Sequence, residues 1–141
     1  FGEAVVISNP TIAQDFRYLI KQHGGMLAKG WLLGIQFEAL FENDLYFSIS
    51  GHAIRLADQI RNTLHELGYP MLVSGSTNQI FPILPLDVLE ELKKDFTFMD
   101  QALIDDTHKA VRFCTSWSTS QLAVDTLCNR LHHITNRKRG E

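Results

Sequence analysis

Two cysteines among 141 residues, Cys114 and Cys128, are too few to staple a fold. That excludes a disulfide-built secreted scaffold, and no segment has the charged head and apolar run of a secretory signal, so a cytoplasmic protein is expected. An excess of one charge is also lacking: 13 Lys and Arg stand against 16 Asp and Glu, a formal net charge of −3. A protein built to hold a polyanion carries a basic surplus, so no nucleic-acid partner is expected. Long hydrophobic runs are absent too. The longest, Trp31 to Phe41, is interrupted by Gln36 and Glu38 and is too short to span a bilayer, so no membrane is expected. There is no internal repeat and no low-complexity segment. Adjacent His132 and His133 would point about 100° apart on a helix and share no ion easily, so no metal is expected. Glu90-Glu91 and Asp105-Asp106 are neighbours in sequence rather than facing acid and base, and no residue of the chain is assigned a catalytic role.

What is present suffices for a core: 45% of the residues are hydrophobic, over the length of one ordinary domain. The first residue is not methionine, and Gly2 to Ile7 reads as a strand already under way, so a piece of a longer chain is expected. Ala4 to Ser8 is apolar and β-branched. Asn9 then offers a capping oxygen, Pro10 suits a first helical position, and Gly24-Gly25 can end the helix that follows. Trp31, Leu32, Leu33, Ile35, Phe37, Ala39, Leu40 and Phe41 would cover a helix almost all round, which predicts burial on every side and therefore neighbours. After a break at Glu42-Asn43-Asp44, residues Ala53, Leu56, Ala57, Ile60, Leu64 and Leu67 recur at helical spacing until Gly68 and Pro70.

From Pro70 the pattern shortens. Met71 to Ser74 and Gln79 to Leu84 predict a hairpin about Gly75-Ser76-Thr77-Asn78, with Pro82 at an edge or a bulge. Pro85 to Lys94 predicts a short helix with Val88, Leu89 and Leu92 inward. Strands are expected at Phe96 to Met99 and at Ala110 to Trp117. Ser118 followed by Gln121 reads as a capping box before a last helix whose apolar side is Val124, Leu127, Cys128 and Leu131. The tail Arg137-Lys138-Arg139-Gly140-Glu141 has nothing to pack. Residues 69–141 thus predict a two-layer unit, helices on one face of a mostly antiparallel sheet.

Three stretches, in order and suitably spaced, carry a family resemblance. The segment Gly24-Gly25-Met26 through Phe37, the strand start Thr77-Asn78-Gln79-Ile80-Phe81, and Val111-Arg112-Phe113-Cys114-Thr115-Ser116-Trp117-Ser118-Thr119 together resemble the threonine aldolase and β-eliminating lyase family, which uses pyridoxal phosphate. The resemblance implies an α/β fold: the C-terminal part of a fold-type-I pyridoxal phosphate enzyme, with long helices leading into a small domain. On this division residues 1–9 are the last strand segment of the cofactor domain, 10–68 connecting and interface helices, and 69–141 the small domain. It also implies a homo-oligomer, dimer or tetramer, and an amino-acid substrate cleaved between Cα and Cβ to glycine and an aldehyde.

In the family, an arginine of the third stretch grips the substrate's α-carboxylate, and the resemblance gives that role to Arg112. The chemistry has its own footing. A guanidinium is a rigid planar fork that holds a carboxylate by two parallel hydrogen bonds, which lysine cannot copy. On a strand, Arg112 leaves the face that Val111 and Phe113 bury, and Cys114 and Ser116 would share its side without adding negative charge. Without the family, a solvated charge on the outer face of a sheet is the commoner fate of such an arginine.

The Schiff-base lysine that the cofactor requires falls, by the resemblance, a few residues before Phe1, so the chain alone is expected to be inactive. Where relatives place a basic residue after the Met of the Gly-Gly-Met turn, near a neighbouring subunit's cofactor phosphate, this chain has Leu27. Lys21 and Lys29 are the substitutes for that contact. Lys29 would lie in an apolar helix between Ala28 and Gly30, where desolvation makes an amine nucleophilic, or its stem would snorkel with the ammonium in water. From another function class, residues 31–41 would serve as the dimer helix of a small, non-catalytic ligand-binding or regulatory α/β domain.

Overall fold

A computed structural model describes residues 2–140, apart from the side chain of Arg139. Its elements run α1 Pro10–Ala13, α2 Phe16–Gln22, α3 Trp31–Phe41, a 3₁₀ turn Glu42–Asp44, α4 Leu45–Glu66, β1 Met71–Val73, β2 Gln79–Pro85, α5 Leu86–Leu92, β3 Met99–Leu103, β4 His108–Cys114 and α6 Gln121–Arg139. They fall into two compact units, Phe1–Phe47 and Ser48–Glu141. The sequence draws its boundary at 68–69 instead. The structural division comes earlier because Leu56, Ala57, Ile60 and Leu64 of α4 belong to the same buried cluster as the sheet.

In the first unit, the expected strand at 4–8 forms no ladder: residues 2–9 lie outside every helix and strand, and Phe1 lies outside the described residues. Asn9 caps as its chemistry predicts, its Oδ1 accepting from the Thr11 amide at 2.9 Å, with Pro10 at the first position. One helix was expected up to Gly24-Gly25, but two form. Asp15 takes a left-handed φ of 58° between α1 and α2 and breaks the run. The stop holds. Gly24 at φ +75° donates to the Lys21 carbonyl and Gly25 to that of Ile20, a double bond to the last turn that needs a residue free of the Cβ penalty.

Within this chain none of the residues of α3 is buried, so the first unit does not supply the neighbours that its all-round apolar surface predicts. Trp31 is 61% exposed and Ile35 51%. Its apolar residues have no partner sufficient to cover them within this unit. The break after it is as read, with Asn43 at φ 52° and Asp44 at φ 57°.

The second unit is a four-stranded sheet in the order β1-β2-β4-β3, antiparallel throughout. Three helices supply its other layer. Ile80 and Leu84 of β2 and Val111 and Phe113 of β4 form one buried cluster with Leu64 of α4, Val88 and Leu92 of α5, and Val124, Leu131 and Ile134 of α6. Each side chain of this kind contributes about 1.5–3 kcal/mol through lost apolar exposure. Pro82 sits in an interior strand, and it is tolerated because the β1–β2 register slips there, from Met71↔Pro82 to Val73↔Phe81. α4 ends as the sequence predicts, with Gly68 at φ +81° donating to His65 and Tyr69 to Leu64.

Four expectations shift. Phe96 to Met99 is not a strand: the Phe96 amide still closes onto the Leu92 carbonyl, and the ladder begins at Met99. β4 stops at Cys114 rather than Trp117, and the cap of α6 is Ser120, whose Oγ accepts from the Ala123 amide at 3.2 Å, rather than Ser118. The basic tail does pack. α6 continues through Arg139, and Lys138 forms an ion pair with Asp87 that lowers the Asp87 pKa; Glu141 lies outside the described residues.

Candidate functional site

β4 carries the residue the sequence singled out. The strand pleat sends Val111 and Phe113 into the core and Arg112 to the opposite, outer face, where it is half-buried. The ladders fix what stands on each side of it. Met99 of β3 is its register partner, and the register through Ile80↔Phe113 and Ile83↔Ala110 sets Phe81 of β2 opposite it on the other side. Nη2 of Arg112 donates to Met99 Sδ at 2.6 Å. Among the described residues it makes no ion pair. Asp100, the next residue of β3, pairs in register with Val111, and its carboxylate is taken by Lys109 Nζ at 2.8 Å, which lowers its pKa. A guanidinium flanked by apolar neighbours and left without a carboxylate can hold an external one by its planar fork.

The strand end beyond Arg112 is fixed by contacts the sequence reading missed. The Thr115 amide donates to the Asn78 carbonyl at 3.1 Å, and Asn78 Nδ2 donates back to the Thr115 carbonyl at 2.7 Å. Thr115 Oγ1, fully buried, donates to the Ala53 carbonyl of α4 at 2.7 Å. The Thr77-Asn78 and Val111-Thr119 stretches, far apart in sequence, are thereby brought side by side. Ser116 leaves the strand face on which it was expected; its amide donates to Thr119 Oγ1 at 2.9 Å in the following loop. That loop is held by His52 Nε2, which donates to the Thr119 carbonyl at 2.8 Å, and Arg55 Nη2 lies 3.2 Å from His52 Nδ1. With Nε2 as donor and a guanidinium facing Nδ1, the imidazole is fixed as the neutral Nε2–H tautomer. His52 and Arg55 stand three residues apart on α4, a spacing that could have pointed to them.

The two lysines separate in the first unit. Lys21 lines a cleft of about 740 Å³ together with Arg17, one helical turn earlier on α2, and with Gly25, Met26, Leu27 and Trp31. Arg17 was not singled out, although its i,i+4 relation to Lys21 was legible. Lys29 is corrected: it lies in an exposed turn before α3, not in an apolar helix, and it does not line the cleft.

No candidate metal cluster and no helix long and apolar enough to cross a membrane occurs among the described residues. His132 and His133 bring no third ligand. Cys114 is free and exposed, while Cys128 is free and buried, its thiol pKa pushed up by desolvation.

No family model matches the sequence. It is 25% identical over 131 residues to a low specificity L-threonine aldolase of a Pseudomonas species, covering 89% of this chain and 36% of that protein. With the low specificity L-threonine aldolase of Pseudomonas aeruginosa it shares 25% over 123 residues, 84% of this chain and 34% of the relative. A solved structure of the Leishmania major threonine aldolase superposes with a TM-score of 0.76 at 34% identity, over 86% of this chain and 36% of that one. The chain spans about a third of the length of the curated relatives it matches. In sequence and in fold alike, this chain is threonine aldolase-like.

Proposed function

We propose that this chain is one part of a pyridoxal phosphate-dependent lyase that cleaves a β-hydroxy amino acid to glycine and an aldehyde, and that its own contribution is the grip on the substrate's α-carboxylate. The observation that carries the reading is Arg112. It is half-buried on the outer sheet face between Phe81 and Met99, with no carboxylate partner among the described residues. A carboxylate docked there is held in one orientation, which fixes the direction of the Cα–Cβ bond relative to whatever group accepts its electrons. Phe81 and Met99 flank the guanidinium without adding a charge that would compete for its donors. The Asn78–Thr115 pair and the His52-held loop fix the end of β4 against α4, so the fork needs little reordering when a carboxylate binds.

Pyridoxal phosphate would supply the electron sink for the broken bond. The residues present fit its phosphate end only: Arg17 and Lys21 place two cations on one cleft beside the Gly25-Met26 backbone, a donor set suited to a phosphate. Lys29, exposed in its turn, is the weaker substitute for that contact. The uncovered face of α3 fits a subunit contact, because a homo-oligomer would bury Trp31, Leu32, Ile35 and Phe41. Around Phe41, Tyr46 and Phe47 form an aromatic cluster with centroids 5.1–5.9 Å apart, and Phe47 is 61% exposed. A cytoplasmic setting suits two cysteines that remain free.

The test is release of aldehyde from L-threonine by the protein encoded by the complete gene, supplied with pyridoxal phosphate. Cleavage at a rate well above the cofactor-only blank supports the reading. A folded, cofactor-loaded protein that releases none contradicts it.

A further inference from the structure

We propose that a second cavity, in the Ser48–Glu141 unit, binds the zwitterion of a free α-amino acid with an apolar side chain. The cavity measures about 380 Å³ and lies where the α4–β1 turn, the β2–α5 junction, the start of β4 and the last turns of α6 meet. That volume falls within the range of small-molecule sites. Pro70, Ile83, Pro85 and Val88 give it an apolar wall. Its polar groups are few, and their proton positions follow from their hydrogen bonds.

Thr135 Oγ1 donates its single proton to the Leu131 carbonyl at 2.8 Å, so in the 2.7 Å contact with Tyr69 the phenol is the donor, and its oxygen keeps lone pairs to accept. Thr107 Oγ1 gives its proton to Asp105 at 2.8 Å, so toward His108 Nδ1, also 2.8 Å away, it accepts; the proton of the ring sits on Nδ1. Asp105 Oδ1, 3.1 Å from that nitrogen, accepts the same proton, which leaves His108 Nε2 as an acceptor whenever the ring is neutral. Asp87 is a third acceptor, and Lys138, its ion-pair partner, is the cationic donor among the described residues that line the cavity.

Several acceptors beside one ammonium, above an apolar wall, match a ligand that has an ammonium of its own, a carboxylate and a hydrocarbon side chain. The ligand's ammonium goes to Asp87 and the Tyr69 and His108 acceptors, its carboxylate to Lys138, and its side chain to Pro70, Ile83 and Val88. Arg112 lies four residues from His108 along β4, about 13 Å at the usual strand rise, and does not line the cavity. The two sites are therefore distinct, and the inference does not rest on the role proposed for Arg112.

The test is a titration of the full 141-residue chain with L-leucine, followed in ¹H–¹⁵N spectra to about 20 mM, a range that detects millimolar binding. Saturable shifts confined to residues 67–70, 83–88, 108 and 135–138 are expected. Isovalerate, which keeps only the carboxylate, and isoamylamine, which keeps only the ammonium, should bind the same residues at least about tenfold more weakly, as should leucine to Asp87→Asn or Lys138→Gln. An exposed ion pair adds little to folding, so both variants remain folded; the two analogues test the same point on the unaltered chain. Absence of shifts, equal binding by the analogues or the variants, or shifts centred on Arg112 and Met99 would overturn the proposal. The last outcome would place amino-acid binding at Arg112 instead.

Discussion

Asn78 and Thr115 hold each other by two hydrogen bonds, backbone amide to carbonyl at 3.1 Å and side-chain amide to carbonyl at 2.7 Å, while Thr115 Oγ1 reaches the Ala53 carbonyl of α4. Sheet and helix are locked together three residues beyond Arg112. Thr115→Val keeps the volume but removes the buried hydroxyl, and Asn78→Ala removes the return bond. Each should lower unfolding stability by about 1–3 kcal/mol, read from urea denaturation midpoints at constant slope. A change within a few tenths of a kcal/mol would show that the contacts are incidental.

Asp105 should titrate far below its neighbours. Its carboxylate accepts from the Thr107 amide first, then from the Thr107 hydroxyl and from His108, and these bonds lower its pKa from 3.8 to about 2. A lowered folded-state pKa means that this contribution to stability is fully present above pH 3.8 and is lost as the pH falls through about 2. Carboxyl-carbon NMR should give an Asp105 midpoint near 2, and in Asp105→Asn that part of the acid dependence should vanish. A midpoint near 3.8 would contradict the turn geometry.

The two thiols should differ in reactivity. Cys114 is exposed on the outer sheet face, whereas Cys128 is buried in the α6 contact with its pKa raised by desolvation. Native-state labelling with a maleimide, followed by peptide mass spectrometry, should modify Cys114 and reach Cys128 only after denaturation. Labelling of both at similar rates would mean that α6 does not stay docked.

Gly68→Ala tests the end of α4. At φ +81° an added Cβ is strained whatever the surrounding space, and the cost should be about 1–2 kcal/mol, read as a lowered melting temperature. A neutral substitution would place the chain reversal elsewhere.

Much of this was legible because local chemistry and tertiary structure agreed. Asn9, Pro10, Gly24 and Gly68 punctuate the helices as their side chains dictate, and the apolar spacing of Ala53 to Leu67 marked the face that packs on the sheet. The pleat alone put Arg112 on the face opposite Val111 and Phe113. Where reading failed, a longer-range contact decided. Ala4 to Ser8 looks like a strand by composition, but a strand exists only with a partner, and residues 2–9 pair with none among the described residues. Lys138 looked like a loose tail residue until Asp87, 51 positions earlier, supplied its counter-charge. Lys29 reads as helical because the apolar run begins close by, yet α3 starts only at Trp31. The Asn78–Thr115 contact joins residues 37 positions apart, and no local pattern announces it.

Steady-state aldehyde release from threonine by the protein of the complete gene, comparing Arg112 with Arg112→Lys and Arg112→Ala, tests the proposed carboxylate grip most directly. Lysine keeps the charge without the paired fork and alanine keeps neither, so the damage should rise in that order. For alanine it should reach about 2–4 kcal/mol in kcat/KM, with cofactor absorbance, the control for folding and loading, nearly unchanged. If Arg112 were only a solvated charge on the outer sheet face, Arg112→Ala would keep activity within about twofold, the few tenths of a kcal/mol usual for surface substitutions, and that result would contradict the assignment.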